Sequence, residues 1–490
     1  MRETTWTTQR IFTIALVVYV ITAMFSLGYH HRDEHFQIME FASCKLGLGH
    51  DNDLPWEYHF QMRPALQPAM VVVLYRFLGL FGANHPFFIA FLLRLFSALL
   101  SLYAIRLIID LYQSRFKHER TRFWFLILSF FIWFSVYNNV RFSSENWAGN
   151  LFVIGFALMM KAKRPVKIWT YLLVGALFGL SFVIRYQSAF LILGFGVWLL
   201  VRRKDPFGKL VLMAMSFFAM FGLGVLIDRW YYGNWVLTTW NYLKWNILAD
   251  RVSGFGVEPW YYYMTQTFLD AIPPFSLLYV VGFLWLIFKR PKSAITWTLI
   301  PFLAVHFLIG HKETRFMFPI LGFMPVGIAY FLDWVLDKYG VDFTEKNIWA
   351  KWFKKLFWVS NVLLLVVVMF RPANNTMWRH FKMYSVIHKP AIMYFEETSP
   401  FGESLPYRFY MRPNIETLPY DIVDTILPDP NRQVFIGTTD KKMVKKYLDS
   451  GAASLIYQSH PEWIKRFNFN GWADRTTFYY VLEINNPDDK

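Results

Sequence analysis

Long apolar runs recur along this chain, and they restrict its fold more than any other feature. A helix needs about 20 mainly apolar residues to cross a bilayer, where the backbone must satisfy its own hydrogen bonds. Runs of roughly this kind predict about eleven membrane-spanning helices. They cover 11–28, 87–111, 123–137, 147–160, 168–183, 188–201, 210–227, 271–288, 296–309, 316–336 and 356–370. The sequence therefore predicts an all-α polytopic membrane protein.

The linkers between these runs alternate in character, which predicts the orientation of the chain. One set is strongly basic, and the positive-inside rule assigns such linkers to the cytoplasm. The basic linkers are 115–122, 161–167, 202–204, 289–292 and 346–355. The other linkers are rich in aromatic and polar residues, so they are predicted to face the non-cytoplasmic side. The apolar run 65–82 would break this alternation as a span, and we interpret it as an interfacial helix on that side.

Hydropathy falls after Arg371, and the pattern changes to short strands. Gln433–Thr438, Ala453–Gln458 and 478–484 are predicted strands, with a helix over 441–448. We therefore expect a transmembrane domain over 1–371, with outer loops at 29–87 and 228–270. A small α/β domain over 372–490 is expected on the non-cytoplasmic side.

Composition excludes several classes of protein. Only 17% of the residues are charged, whereas soluble domains average about a quarter. The formal net charge is +16, but the basic residues lie in short linkers between apolar runs, so no nucleic-acid partner is expected. Cys44 is the only cysteine, which excludes a disulfide within the chain. The sequence has no Gly-rich phosphate loop, dinucleotide fingerprint or metal-spaced His/Asp cluster, so neither a metal nor a cofactor is expected.

The first outer loop opens with the dense ionisable segment His30-His31-Arg32-Asp33-Glu34-His35. Carboxylates at a membrane boundary are costly to desolvate, and one of them could act as general base for an attacking hydroxyl. The alternative is a solvated loop with ordinary charges. Because adjacent residues of an extended segment point to opposite faces, we expect at most one of Asp33 and Glu34 to be the base.

Other polar and aromatic residues lie at the same predicted face. Trp56 is either part of an interfacial aromatic belt or a substrate contact, and Arg63 could pair with Glu57 or with an anionic headgroup. Arg141 and Arg185 oppose the positive-inside bias, so each is expected to have a phosphate or carboxylate partner. In the second outer loop, the mixture of rings with polar groups suits a sugar, and its candidates are Asp228, Tyr232, Asn241, Asn246 and Trp260.

A second dense segment, His311-Lys312-Glu313-Thr314-Arg315-Phe316, occupies what would otherwise be a bare turn between two late spans. Arginine can hold a phosphate through its bidentate fork and lysine as a point charge. Glu313 can keep these cations oriented. The alternative is an anchor whose charged ends reach the membrane surface.

The order of these features resembles that in the mannosyltransferases of glycosyltransferase family 22. The features are the first-loop carboxylates, Trp56-Glu57-Tyr58 with Arg63, the long second loop and the His311–Phe316 segment. The family includes the GPI-anchor and N-glycan mannosyltransferases of the endoplasmic reticulum. The resemblance extends from about Ile11 to Leu336, and the His-Lys-Glu-x-Arg-Phe segment is its most specific element. It implies a GT-C fold, inverting chemistry, a lipid-phosphate sugar donor and an acidic base in the first outer loop.

Carried onto this sequence, the resemblance assigns candidate roles. Asp33 is the base candidate, with Glu34 as its neighbour. Candidates for the donor phosphate are His311, Lys312, Arg315, Arg63 and Arg185. Candidates for other substrate contacts are Trp56, Glu57, Arg141, Asp228, Tyr232, Asn241, Asn246, Trp260 and Glu313.

We therefore expect a glycosyltransferase that moves a hexose from a polyprenyl- or dolichyl-phosphate carrier to a lipid-linked glycan or glycolipid. Mannose is the hexose that the resemblance favours. The transmembrane domain would be catalytic, surrounded by membrane lipid, with its site on the non-cytoplasmic face. Short cytoplasmic loops and a distinct C-terminal region favour a bacterial inner membrane, and the endoplasmic reticulum is the alternative.

Two other functions remain open at this point. A secondary transporter or flippase would need ionisable residues near mid-membrane and paired broken helices, whereas the charged groups here gather at one face. A protein that binds lipid-linked glycans without turnover is separated from an enzyme only by an activity assay.

Overall fold

The computed structural model describes residues 2–340, 346–396, 401–402, 405–420, 426–472 and 476–486. The chain divides into two compact units. Unit 1 comprises Met1–Ser26, His59–Met70 and Ala90–Arg371, and unit 2 comprises Leu27–Tyr58, Val71–Ile89 and Pro372–Lys490. Unit 2 thus combines the C-terminal residues with two segments from the first predicted outer loop.

Helices dominate the described residues. In chain order they are α1 (Arg2–Phe25), α2 (Arg32–His35), α3 (Phe41–Leu46), α4 (Trp56–His59), α5 (Leu66–Gly79), α6 (Pro86–Tyr112), α7 (Glu119–Phe131), α8 (Trp133–Asn139), α9 (Ser144–Lys161), α10 (Ile168–Ile184), α11 (Ser188–Val201), α12 (Phe207–Tyr232), α13 (Thr238–Tyr242), α14 (Tyr262–Asp270), α15 (Ser276–Lys289), α16 (Ala294–Leu308), α17 (Met324–Tyr339), α18 (Ile348–Phe370), α19 (Thr376–Val386) and α20 (Lys441–Asp449). Short 3-10 and π segments lie between several of them.

Several of these helices have the length and composition of membrane spans. Among the described residues, five helical stretches meet both criteria: Thr8–Phe25, Pro86–Arg115, Phe207–Tyr232, Thr314–Tyr339 and Ile348–Phe370. Shorter apolar helices are Leu66–Gly79, Ile168–Ile184, Ser188–Val201, Ser276–Lys289 and Ala294–Leu308. The predicted class, a helical polytopic membrane protein, is confirmed. The number of about eleven crossings stays a prediction.

Two predicted spans are not single α-helices. The run 123–137 is broken at Ile132, whose backbone is extended between α7 and α8. The buried Asn361 side chain of α18 satisfies the backbone groups freed by this break: its amide donates to the Phe131 carbonyl at 2.8 Å and its oxygen accepts from the Trp133 N–H at 3.1 Å. In the other case, Thr314–Phe323 is a 3-10 segment that precedes α17.

Small residues allow the helices of unit 1 to pack closely. Gly175 and Gly179 of α10 face the backbone of α12, where an added Cβ at either position would overlap with carbonyl oxygens. Gly194 of α11 faces the Trp297 carbonyl of α16 in the same way. Close approach through small residues is the usual means of helix packing in lipid, where apolar burial gives no driving force.

Unit 2 contains a five-stranded mixed sheet. Its strands are β1 (Ala391–Phe395), β2 (Ile415–Pro419), β3 (Gln433–Thr438), β4 (Ala453–Gln458) and β5 (Tyr480–Ile484), in the order β2-β1-β3-β5-β4. β1 pairs in parallel with β2 and β3, whereas β5 pairs antiparallel with β3 and β4. The structure confirms the expected small α/β region, and its strands β3 and β4 have the predicted bounds. It also contains β1, β2 and α19, which the sequence pattern did not predict.

Candidate active site

The first-loop carboxylates lie on a helical turn rather than an extended segment. The His31 side chain caps α2 by accepting a hydrogen bond from the Asp33 N–H at 3.2 Å. Our assumption that Asp33 and Glu34 point to opposite faces of an extended chain is therefore wrong. On a helix of about 3.6 residues per turn, adjacent side chains diverge by about 100°.

The two carboxylates have different surroundings. Glu34 turns back on the loop, and its Oε2 accepts from the His30 N–H at 2.9 Å. Asp33 Oδ1 lies 3.6 Å from His31 Nδ1, and the Asp33 side chain is 25% exposed. Because that Nδ1 accepts the Asp33 N–H, the imidazole nitrogen cannot also donate to the Asp33 carboxylate.

A buried histidine–carboxylate pair follows these carboxylates in unit 2. His35 Nε2 lies 2.8 Å from Glu40 Oε1, and both side chains are 2% exposed. The Glu40 oxygens also accept from the Phe409 N–H at 3.2 and 3.3 Å. The rings of Tyr29 and Tyr407 enclose His35, with centroids 5.4 and 5.0 Å away. Sequence reasoning missed Glu40, although a carboxylate inside the apolar run after the loop is a signal of a buried partner.

Glu57, a predicted substrate contact, is buried in the same unit. Its Oε1 accepts from Gln37 Nε2 at 3.1 Å. Trp56 begins α4 beside it and is half-buried. In the structure, the predicted substrate contact Glu57 is therefore hydrogen-bonded to another side chain of the protein, Gln37.

Loss of the buried pair should destabilise the protein. Removing one partner of a buried hydrogen bond typically costs about 1–3 kcal/mol, because the other polar group remains buried without that partner. We expect Glu40→Ala to lower the thermal unfolding midpoint of the purified protein markedly. The control is Glu416→Ala, which breaks an exposed pair with Arg432 whose N–O distance is 2.8 Å, and exposed pairs contribute about 0–1 kcal/mol. Equal midpoints for the two variants would show that the buried pair contributes no more than the exposed one.

In unit 1, the predicted phosphate-binding segment forms a network of ion pairs. Arg315 holds Glu313 through two hydrogen bonds, Nε to Oε2 at 2.6 Å and Nη2 to Oε1 at 2.9 Å. Glu145 Oε1 lies 3.4 Å from Arg315 Nη1 and 3.1 Å from Arg185 Nη1. Both guanidinium groups lie over the Phe316 ring at 5.4 Å. The structure thus brings Arg185 and Arg315 together around Glu145, at the start of α9.

The other two basic residues of the segment, Lys312 and His311, contact backbone carbonyls. Lys312 Nζ donates to the carbonyl oxygens of Glu258, Ile309 and Gly310 at 2.9, 2.5 and 3.4 Å. These three contacts account for the three protons of its ammonium group. Burial lowers the pKa of Lys312 below its usual value, and the Glu258 carboxylate opposes that shift. Lys312 therefore joins Glu258, in the predicted second outer loop, to the turn after α16.

His311 completes this arrangement. Its Nδ1 lies 3.1 Å from the Gly256 carbonyl oxygen and its Nε2 lies 3.0 Å from Glu313 Oε1. Both partner atoms are acceptor oxygens. Glu313 thus contacts both His311 and Arg315.

Three of the predicted sugar contacts hold the segment 60–65 by its backbone. Asp228 Oδ1 accepts from the Ala65 N–H at 2.7 Å, and the Tyr232 hydroxyl donates to the Arg63 carbonyl at 2.8 Å. Asn241 Nδ2 donates to the carbonyl oxygens of Phe60 and Gln61 at 3.1 and 3.2 Å. Of the remaining loop candidates, Asn246 is buried and Trp260 is exposed.

Arg63 and Arg141 have different settings. The Arg63 guanidinium lies 5.6 Å from the Tyr242 ring centroid. Arg141 is fully buried, and its Nη2 donates to the Ser26 carbonyl at 2.6 Å and to the Ser26 hydroxyl. A cation at the end of α1 also complements the negative end of the helix dipole.

Comparison with known proteins identifies the family. The model of the Alg9-like mannosyltransferase family, glycosyltransferase family 22, matches residues 10–401. The chain therefore belongs to this family. The resemblance found in the sequence is confirmed, and with it the GT-C class of mannosyltransferase.

Curated relatives in the same family are similar to this chain over about two thirds of its length. The mannosyltransferase APTG1 of Arabidopsis thaliana is 28% identical over 342 residues, which are 66% of this chain and 58% of the relative. The GPI alpha-1,2-mannosyltransferase 3 of Danio rerio is 28% identical over 301 residues, covering 59% of this chain and 53% of the relative. The human enzyme of the same name is 27% identical over 345 residues, covering 68% and 57%. The matched regions span little more than half of these relatives.

Among solved structures, the chain is similar to ArnT from Cupriavidus metallidurans bound to undecaprenyl phosphate. The sequence identity is 12%, 98% of each chain is covered, and the TM-score is 0.49.

Proposed function

We propose that this chain is an inverting mannosyltransferase that takes mannose from a polyprenyl-phosphate carrier and attaches it to a lipid-linked glycan or glycolipid. The observation that carries the proposal is the family match over residues 10–401. That range includes both the first-loop carboxylates and the arginine network around Glu145. Membership in a family of transferases does not favour the transporter or flippase alternative.

In this mechanism Asp33 is the general base. The family resemblance makes Asp33 the base candidate and Glu34 its neighbour. The Glu34 carboxylate accepts from the His30 N–H, and the Asp33 carboxylate lies 3.6 Å from His31 Nδ1. Asp33 accepts the proton of the acceptor hydroxyl, whose oxygen attacks C1 of the mannosyl group. The bond between C1 and the phosphate oxygen breaks with inversion, and the polyprenyl phosphate leaves as an anion.

The leaving phosphate would be held by Arg185 and Arg315, with His311 beside them. The protons of Lys312 lie on three backbone carbonyls, which supports a role for Lys312 in shaping the loop. Glu145 and Glu313 would hold the guanidinium groups in place before the donor arrives. A guanidinium offers five donors, so one arginine can hold a carboxylate and a phosphate together. Fixed cations of this kind stabilise developing negative charge without a metal.

A transfer assay tests the proposal directly. Purified protein is given labelled mannose on a synthetic polyprenyl phosphate, with a lipid extract as acceptor, and in parallel labelled GDP-mannose. We expect transfer from the polyprenyl donor alone, with a product of opposite anomeric configuration to the donor. Transfer from the nucleotide sugar alone, or retention of configuration, would contradict the proposed donor or mechanism.

The proposed orientation can be measured separately. If the basic linkers are cytoplasmic, a reporter fused after Asp205 should lie inside and a reporter fused after Asn486 should lie outside. Protease or alkylation access in sealed membranes would distinguish the two sides. Reporters on the same side would contradict both the orientation and the placement of the interfacial helix.

A further inference from the structure

A cavity of about 680 Å³ lies among α7, α15, α17 and α18 of unit 1. Cavities that hold small ligands usually measure about 300–1,000 Å³. The α18 side of the wall has residues at helical spacing: Ala350, Phe353, Lys354, Phe357 and Trp358. On the opposite side, α7 contributes Trp124 and Leu128, and α17 contributes Leu332. Most of the wall is therefore apolar.

The charged residues of the wall lie at one end. Arg120 near the start of α7 and Lys354 near the start of α18 are cations, and Glu119 is the carboxylate among the described lining residues. Among the described lining residues, this end therefore has more basic than acidic side chains. From Arg120 to Leu128 the helix rises about 12 Å, so an apolar wall of that length follows the cationic end. The chemistry fits an anionic amphiphile with a hydrocarbon chain.

This cavity is distinct from the arginine network. Its cationic end lies beside Leu336, near the last turn of α17. Arg315 precedes the first turn of the same helix. The 16 residues of α17 separate these ends by about 24 Å. The cationic end also belongs to the basic linkers, whereas Arg315 belongs to the linkers of the opposite predicted face.

We propose that this cavity binds an anionic phospholipid from the leaflet next to the basic linkers. One acyl chain would lie along Trp124, Leu128 and Leu332, and the phosphodiester would contact Arg120 and Lys354. A phosphodiester is an anion, and it would complement the two basic side chains described at this end. The bound lipid would stabilise the packing of α18 against α7.

Native mass spectrometry of the purified, delipidated protein tests this assignment. Phosphatidylglycerol and phosphatidylcholine with the same acyl chains are titrated separately, and we expect tighter binding of phosphatidylglycerol. Both side chains would donate charge-assisted hydrogen bonds to the phosphate, and one hydrogen bond to a charged group is worth about tenfold or more in affinity. Arg120→Gln/Lys354→Gln should therefore weaken binding by at least about tenfold. The matched control is Lys351→Gln/Lys355→Gln, which removes two exposed charges from the same helix at positions outside the described lining. This control should bind phosphatidylglycerol normally.

A second measurement follows the acyl chain. The indole rings of Trp124 and Trp358 are 5.4 Å apart in the wall, so phosphatidylglycerol with brominated chains should quench their fluorescence. Trp124→Phe should reduce this quenching, and Leu332→Trp, which fills the cavity while keeping both cations, should weaken lipid binding.

Three outcomes would overturn the proposal. Equal binding of the two lipids would leave no role for the charged entrance. Equal loss of binding in the two charge variants would reduce the effect to general surface charge. Displacement of phosphatidylglycerol by an equimolar amount of undecaprenyl phosphate would assign the cavity to a polyprenyl lipid instead.

Discussion

Replacing Asp33 by Asn is expected to slow mannosyl transfer by about a hundredfold to ten-thousandfold, the usual cost of removing a general base. The amide keeps nearly the size of the carboxylate, but it cannot accept the proton of the acceptor hydroxyl. Donor binding should persist, because the proposed phosphate contacts lie elsewhere in the sequence. Single-turnover transfer from pre-bound donor measures the chemical step without contributions from donor exchange.

Glu34→Gln is the matched control for this variant. The Glu34 side chain accepts from the His30 N–H at 2.9 Å, and a glutamine oxygen can accept the same hydrogen bond. We therefore expect more residual transfer than in Asp33→Asn. The reverse result would exchange the two roles. Near-normal rates in both variants would show that the first outer loop does not supply the base.

Arg315→Ala should weaken binding of the polyprenyl-phosphate donor by about tenfold to 150-fold, since a hydrogen bond to a charged group is worth about 1.5–3 kcal/mol. Arg315→Lys should restore little of this affinity, because a single ammonium cannot reproduce the bidentate fork. Donor affinity is best measured in the Asp33→Asn background, where bound donor is not consumed.

Two controls separate phosphate binding from structural effects. Arg229→Ala removes an exposed arginine that lies over the Trp235 ring at 4.1 Å, and it should leave donor affinity unchanged. Lys312→Met should lower the thermal midpoint, because the carbonyl oxygens of Glu258 and Ile309 lose this donor. Donor affinity at the wild-type level in Arg315→Ala would assign the arginine network a purely structural role.

Much of the fold could be predicted, because membrane helices and alternating strands have strong local periods. The helix Ser188–Val201 and the strands Gln433–Thr438 and Ala453–Gln458 have the predicted bounds. Features that depend on distant partners could not be predicted. Ile132 separates α7 from α8, and neither proline nor glycine marks this break in the sequence. β1 and β2 lack clear alternation, and they are stabilised by pairing with each other and, for β1, with β3.

The residue types of the candidate site could be predicted from the sequence, but most of the contacts between its residues could not. The two dense ionisable segments stand out because charges at a membrane boundary need a reason. Their partners are far away in sequence: Glu145 meets Arg315 across 170 positions, and Asp228 meets Ala65 across 163. Such pairings depend on how the helices pack, which no local pattern contains. For the same reason, Asp228, Tyr232 and Asn241 could be recognised as polar but not as ties to the segment 60–65.

The Asn361 amide that joins the ends of α7 and α8 changes how polar residues inside apolar helices should be interpreted. Such residues are usually taken as markers of transport routes or binding sites. Here the amide N–H and the amide oxygen of Asn361 are both hydrogen-bonded to peptide groups at one helix break. The Asn361 side chain therefore replaces the backbone hydrogen bonds that a continuous helix would have. An exchange to leucine would raise the hydropathy of α18 and yet remove the partner of both the Phe131 carbonyl and the Trp133 N–H. Hydropathy alone would therefore rank as favourable a substitution that deprives two peptide groups of their hydrogen bonds.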